Sequence, residues 1–363
     1  MTSAHGTEDV RIFHKECVSL AEAGYDVYLV ERGESYDKNG VHIVGVGEIP
    51  QSRRKRMTEG ARRVYERALM LDCDIYHIHD PELLPFALKL KKKGKKVIFD
   101  SHENTADSIY EKTYLPLAIR SMVGKSYTLY EAHVCSRMDA VITVTPTQTK
   151  YFKTISPCVC EVRNYPIVPD DYVLPGFTGR ALGFAGGITE NWSHQTVIEA
   201  IETIPDCKYI LCGADNEYRK GLEKLTGWEK VDYRGMLPHA EVAKVLSACS
   251  VGIALLKPCR NSAWKVGTMG NTKIFEEMMA GLPVVCTDFE LWKEFVDRYQ
   301  CGICVDPMDV GNVRAAIEKL INDPGLARRM GENGRRAVEE EFNWRTQSCR
   351  LLELYNAIGA GRG

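Results

Sequence analysis

Residues 267–288 read GTMGNTKIFEEMMAGLPVVCTD, and the alternation inside them decides the fold. Small and polar residues open the stretch, about two turns of helix follow, Gly281-Leu282-Pro283 breaks the helix, and the β-branched run beyond predicts a strand. Loop, helix, turn and strand in that order make one unit of an α/β layer. Gly267 and Gly270 let backbone amides approach a ligand closely. Asn271 or Thr272 can cap the helix, whose first turn then offers donors and partial positive charge to an anion, most often a phosphate. Lys273 and Glu276 stand three apart on one helical face, a cation near the mouth and a carboxylate one turn deeper. That pairing suits a phosphate joined to a hydroxylated sugar; an ordinary surface ion pair is the competing reading.

The same alternation runs outward in both directions. Upstream lie a strand and glycine loop, ALGFAGGI (181–188), then SHQTVIEAIETI, KYILCGA, NEYRKGLEKLTG, KVDYRGML, HAEVAKVLSAC and SVGIALL, helices between strands. Downstream come CGICVDP and the helix GNVRAAIEKLIND, and the chain closes with WRTQSCRLLELYNAI. The N-terminal half repeats the scheme: a helix over 11–23, the strands YDVYLVE and VHIVGVG, a basic helix over 52–71, DCDIYHIHD ending a strand at Asp80, a helix over 81–94, KKVIFD running into a polar loop, a helix over 121–138, and DAVITVT. A helix that starts at Arg11 implies a strand before it, which MTSAHGT supplies with very few residues or not at all; whether a strand lies upstream of Met1 stays open. The expected organisation is a Rossmann-like domain over 1–165, a Pro-rich linker over 166–180, a second Rossmann-like domain over 181–345 and a terminal helix over 346–363. Polar insertions fall at the C-terminal ends of strands, where open parallel sheets bind ligands, so the two sheets are expected to face a cleft.

With 363 residues the chain is long for one core. Its 47 basic and 49 acidic residues balance, which argues against a general nucleic-acid binder. No run of 18 apolar residues occurs and the first residues lack the pattern of a signal peptide, so a cytoplasmic chain is expected. Thirteen cysteines, mostly single and in apolar segments, read as reduced core thiols, and Cys301-Gly-Ile-Cys304 as part of a buried strand. No four-ligand zinc spacing is present, and no cofactor or metal is expected.

Several stretches together resemble glycosyltransferase family 4, retaining sugar-nucleotide transferases of GT-B architecture, over nearly the whole chain. They are DVRIFHKECVSLAEAGYDVYLV, YHIHDPELLPFALKLKKKGKKVIFDSHE, the FAGGITE loop, and NTKIFEEMMAGLPVVCTDFELWKEFV with CGICVDPMD behind it. The resemblance is strongest to bacterial members that build capsule, exopolysaccharide or lipopolysaccharide. It implies a nucleotide-diphosphate sugar in the C-terminal domain and a glycan or lipid-linked glycan acceptor in the N-terminal one. Glu276 matches the second glutamate of the family's E-x7-E pattern, which holds the ribose hydroxyls; Thr268 stands where the first glutamate is usual. FAGGITENW resembles the phosphate loop, yet Gly187 occupies its arginine position and Asn191, Trp192 and Ser193 its lysine region. Lys273 is the expected replacement cation, with Arg260 and Lys265 as helpers or as solvated loop residues. The donor set is thus Gly186, Gly187, Gly235, Met236, Thr268, Gly270, Asn271, Thr272, Lys273 and Glu276, with Gly235 and Met236 meeting the base, uracil before guanine.

By the same resemblance His102 faces the donor sugar and acceptor, and with Lys273 and Glu276 forms the expected catalytic set. His79, Asp80, Glu103 and Asn104 complete the acceptor side. His77 and His79 share a strand, and only one of them is expected to face the cleft. Asp72-Cys73-Asp74 imitates a metal-binding DxD but reads as helix-end punctuation. The mechanism implied is front-face transfer with retention, in which the leaving phosphate takes the acceptor's proton and no protein nucleophile acts. Two basic clusters, 53–56 and 89–96, read either as solvated helix faces or as a reversible dock at the inner face of the cell membrane. A non-catalytic GT-B subunit that scaffolds glycan synthesis is the rival from another class, favoured by Thr268 and the stripped phosphate loop.

Overall fold

The computed structural model describes residues 1–49, 52–102, 105–110, 116–169, 175, 177, 179–260 and 262–359. Contacts divide the chain into two units, Met1–Asn164 with Trp344–Gly363, and Tyr165–Asn343.

In the first unit β1 (Val27–Glu31), β2 (Tyr36–Lys38) and β3 (Val41–Gly45) form a sheet in the order β1-β3-β2, with β2 folded back antiparallel on β3. A second sheet runs β4 (Ile75–Ile78), β5 (Lys96–Ser101), β6 (Ala140–Thr143), β7 (Val159–Glu161), all parallel. Two residues join the sheets. Thr2 N–H donates to Val30 O at 3.0 Å, His79 N–H donates to Met1 O at 3.3 Å, and the Met1 nitrogen donates to His77 O at 2.7 Å. Met1 and Thr2 are thus hydrogen-bonded to both sheets without forming a strand of their own.

The helix expected over 11–23 is present with a different winding. Val10–Cys17 is π-helical and Val18–Glu22 α-helical, with Asp9 Oδ1 accepting the Arg11 and Ile12 amides. The wider turn buries Ile12, Phe13 and Cys17 against Leu29, Val41 and Ile43, and it also buries Arg11, Lys15 and Glu16. Beyond β5, Thr105–Tyr110 is helical where a polar loop was expected. The terminal helix Trp344–Gly359 belongs to this first unit, where Trp344, Leu351, Leu354 and Tyr355 cover Ile98, Ala140 and Ile142. Trp344 Nε1–H donates to Ser19 Oγ at 2.8 Å, fixing its start.

The second unit carries β8 (Ala181–Ala185), β9 (Lys208–Cys212), β10 (Val231–Gly235), β11 (Val251–Ala254), β12 (Val284–Thr287) and β13 (Gly302–Val305). They form one parallel sheet in the order β10-β9-β8-β11-β12-β13. Counted within the unit this is 3-2-1-4-5-6, the doubly wound order whose switch point lies between the first and fourth strands, here β8 and β11. Burial on both faces explains the unbroken apolar runs such as VVCT, every residue of which is buried. Gly281, at φ +72°, ends the helix Lys273–Met279 before β12, as expected of Gly281-Leu282-Pro283. In β13 a Cβ on Gly302 would stand 2.2 Å from Val284 O, so only glycine fits beside β12. Cys301 is fully buried, and all thirteen cysteines are free.

Candidate functional site

The loop after β8 and the helix that follows β11 meet at the switch point of the second unit. Lys273 lies across Gly186: a Cβ there would stand 2.9 Å from Lys273 Cε. Asn271 is the cap, its Oδ1 accepting the Lys273 amide at 3.0 Å, while Thr272 makes no side-chain cap bond. Lys273 Nζ reaches Glu276 Oε2 at 2.7 Å, with the two side chains 25% and 19% exposed. Each holds the other, half-shielded and accessible. Thr268 Oγ1 accepts the Gly270 amide at 3.0 Å and Thr268 O accepts Trp292 Nε1–H at 2.8 Å, so the hydroxyl braces the loop. Gly267 has φ +84°, and a Cβ on it would meet Phe289 Cβ at 2.5 Å. Behind the helix, Arg335 donates to Met279 O at 2.5 Å and anchors its last turn.

The strand ends of β8, β9 and β10 are tied edge to edge. Gly186 N–H donates to Cys212 O at 2.9 Å and Gly213 N–H to Gly235 O at 2.8 Å, which brings Gly235 (φ +68°) and the exposed Met236 into line with the glycine loop. Gly187 has open space where a Cβ would stand, its nearest neighbour Thr189 Cγ2 at 3.9 Å. Residues 191–193 are stitched to the end of β11 through Lys257 N–H to Asn191 O and Ser193 N–H to Leu255 O. Trp264 and Lys265 are exposed on a turn closed by Trp264 N–H to Cys259 O, and Arg260 is exposed on the same turn.

The polar residues of the first unit form a sealed cluster at the ends of β4 and β5. Arg11 forks onto Asp100, Nε to Oδ2 at 2.9 Å and Nη2 to Oδ1 at 3.1 Å, and its Nε also lies 3.1 Å from Glu16 Oε1. His79 Nδ1 stands 3.5 Å and His102 Nδ1 3.6 Å from the same Asp100 carboxylate. His102 Nε2 meets His5 Nε2 at 3.1 Å, and His5 reaches Asp80 Oδ1 at 3.4 Å and Asp9 Oδ2 at 3.5 Å. Asp80 directs its other oxygen to Thr2 Oγ1 and to the amides of Ser3 and Ala4, so it fastens the N-terminal loop. Glu103 and Asn104 lie outside the described residues.

The electrostatics follow from burial. Burial alone would raise the Asp100 carboxyl, but the Arg11 guanidinium and His102 outweigh it and hold it well below the usual carboxylate range. Glu16, equally buried and facing the Asp100 charge, is pushed well above its ordinary value despite Arg11. Burial lowers His79 to about 3 and drives His77 well below its ordinary value. Burial and the Arg11 charge thus favour the ionised form of Asp100 and the uncharged forms of Glu16, His77 and His79.

One sequence expectation is overturned here. His77 and His79 face the same side, their rings stacked at 4.4 Å between centroids, because residues two apart on a strand share a face. Spatially, Glu16, His77, His79 and Asp100 place one potential ligand atom each within 4.8 Å of one another. They come from three segments far apart in sequence, so spacing could not reveal them. Arg11, Lys15, Glu16 and Asp100 were missed as site residues. The available signal was three charged side chains on the apolar turn of the first helix, with Arg11 and Glu16 five apart, a π-helical rather than α-helical interval. Asp72 stays outside any metal set; at φ +50° it ends a helix and pairs with Lys95 at 2.6 Å.

Residues 178–337 match the family model for glycosyl transferases group 1, and residues 11–162 match that for glycosyltransferase family 4. The two matches lie end to end over most of the chain and mark it as family 4-like in sequence. Over 158 residues it is 27% identical to alpha-D-kanosaminyltransferase of Streptomyces kanamyceticus, a match covering 42% of this chain and 38% of that one. The chain spans less than half the length of the curated relatives it matches. Sucrose-phosphate synthase from Thermosynechococcus elongatus has a similar fold, with TM-score 0.75 at 18% identity, covering 95% of this chain and 92% of that one. So does Anabaena HepE in complex with UDP and glucose, with TM-score 0.69 at 13% identity, covering 94% of each chain. The two units of the chain accordingly have the Rossmann-like architecture of a GT-B fold.

Proposed function

We propose that the chain transfers a sugar from a nucleotide-diphosphate sugar to a hydroxyl of a glycan or lipid-linked glycan, with retention, in the synthesis of a cell-surface polysaccharide. The observation that carries this reading is the convergence at the switch point of the second unit: Gly186 beneath Lys273, and Lys273 paired with Glu276 at 2.7 Å. A diphosphate entering there would draw Lys273 towards itself, and the Glu276 carboxylate would accept hydrogen bonds from two ribose hydroxyls. The Gly187 amide would supplement a loop poor in cations, Gly186 and Gly270 would let the diphosphate come close to the backbone, and Gly235 with Met236 would meet the base. Thr268, Asn271 and Thr272 would line the sugar side. His102, with His79 and Asp80 around it, would serve the acceptor as a neutral hydrogen-bonding group, and Glu103 and Asn104 belong to the same expected set. The leaving diphosphate, rather than a protein base, would take the acceptor's proton.

HepE, solved with UDP and glucose, supports uracil as the base, whereas a mannosyltransferase of Mycolicibacterium smegmatis, matched over 27% of this chain, is named as GDP-mannose-dependent. Titration calorimetry with UDP and GDP therefore comes first, alongside Lys273→Ala and Glu276→Ala. Binding of one nucleotide, lost in both variants, is the expected result; no binding of either by the folded protein would overturn the donor site. That second outcome favours the scaffold reading, for which the bracing role of Thr268 Oγ1 speaks.

Docking at the inner face of a membrane is the weaker part of the proposal. Lys91 and Lys96 pair with Asp139, Lys95 with Asp72 and Arg56 with Glu82, while Lys89 lies over Phe86 at 4.9 Å. Among the described residues no helix is long and apolar enough to cross a membrane.

A further inference from the structure

We propose that the first unit binds one divalent transition-metal ion, with zinc as the reference case, between His77, His79 and Glu16. Glu16 is 1% exposed and neither of its carboxylate oxygens accepts a hydrogen bond; His77 Nε2 is likewise buried without a hydrogen-bond partner. Buried polar atoms left this way are costly, and an ion would satisfy them together. The atoms are already grouped. Glu16 Oε2 stands 3.9 Å from His77 Nε2 and 3.8 Å from His79 Nε2. Around zinc, bonds of about 2.0–2.1 Å put tetrahedral ligands about 3.4 Å apart, so closing the site requires shifts of about half an ångström at the Glu16 contacts and a rotation of the two stacked rings, 4.4 Å between centroids, towards one point.

The outer ring fits as well. Metal-bound imidazoles are oriented through their other nitrogen. Here His77 Nδ1 meets Tyr355 Oη at 2.9 Å in a hydrogen bond, while His79 Nδ1 lies 3.5 Å from Asp100 Oδ2 without forming one, and in both rings Nε2 is the atom that faces Glu16. Arg11 does not occupy the position. It meets Glu16 through Oε1 and forks onto both oxygens of Asp100, which matches its charge within the cluster and makes Asp100 an orienting neighbour of the ion. Two imidazoles and one carboxylate are ligands of the type that selects zinc and its first-row neighbours over calcium or magnesium. The ion would fasten the π-helix Val10–Cys17 to the end of β4 and, through Tyr355, to the terminal helix of the same unit.

The test is a cobalt(II) titration of the metal-stripped full chain, followed by competition with zinc and by metal analysis of the purified protein. One equivalent is expected, with visible ligand-field bands and without the sulfur-to-cobalt charge transfer that the thirteen thiols would give. Glu16→Gln and His77→Gln should each weaken binding at least tenfold. Tyr355→Phe, which leaves all three ligands in place, should weaken it about tenfold with an unchanged far-ultraviolet spectrum. Should Glu16→Gln fail to fold, Tyr355→Phe decides. Charge-transfer bands, affinity unchanged in Tyr355→Phe, or no binding by the folded chain would each overturn the site. None of these readouts depends on sugar transfer.

Discussion

In the first unit Arg11, Glu16, His79 and Asp100 are each at most 5% exposed and bond mainly to one another, whereas in the second Lys273 and Glu276 sit at a half-open mouth on a loop held by backbone bonds. The difference lies in what fixes each polar group. The sealed cluster is held by charge complementarity at low dielectric, so removing one partner strands another. The open pair is held by an Asn cap, a Thr turn and two aromatic buttresses, so its charges can be exchanged for a ligand's at little structural cost. Groups of the first kind are poor candidates for exchange with substrate and good ones for holding a fixed geometry.

The largest effect expected from breaking this contrast is that of Arg11→Met. It leaves Asp100 buried with only the His79 and His102 rings beside it, at a cost of about 3–5 kcal/mol of stability in urea denaturation, and Arg11→Met with Asp100→Asn should recover most of the loss. Lys273→Met in the same assay should cost under about 1 kcal/mol while abolishing nucleotide binding. Equal losses of stability in the two single variants would erase the distinction.

Gly267→Ala comes next. Its φ of +84° and a Cβ 2.5 Å from Phe289 Cβ should together cost about 2 kcal/mol, and Gly187→Ala, in open space, should cost much less. Thermal melts of the two variants make the comparison, and parity between them would mean that the loop is not held by its buttresses.

Acid should act on both units in the same direction. Burial lowers His194, bonded through Nδ1 to Tyr209 Oη at 2.9 Å, to about 3, as it lowers His79. The unfolded chain therefore binds more protons between pH 6.5 and about 3, so stability falls as pH drops through that window. His194→Gln should flatten the slope of denaturation midpoint against pH; an unchanged slope would sink the assignment. The smallest effect belongs to the lysine run: Lys92→Ala with Lys93→Ala should change liposome binding little, and a large loss would instead make that face a dock.

How far the sequence could be read varied with how local the cause was. Gly281-Leu282-Pro283, the glycine loop and the Lys273–Glu276 spacing are short-range signals, and the elements they predict are present. His77 and His79 were misjudged although strand periodicity alone puts both on one face. The N-terminal strand looked doubtful because two residues carry no periodicity, and Met1 and Thr2 form none. The buried charges of the first helix escaped notice because an α-helical period was assumed where Asp9 starts a π-helix.

By itself the sequence determined the α/β alternation, the two-unit organisation of the chain and the family, because propensity, turn chemistry and motif spacing act within a few residues. Tertiary structure decided the rest. It gave the terminal helix to the first unit, made Met1 and Thr2 a bridge between two sheets, and gathered Arg11, Glu16, His77, His79 and Asp100 from three segments into one buried cluster. Those outcomes depend on pairings between residues tens to hundreds of positions apart, whose energies no local window contains.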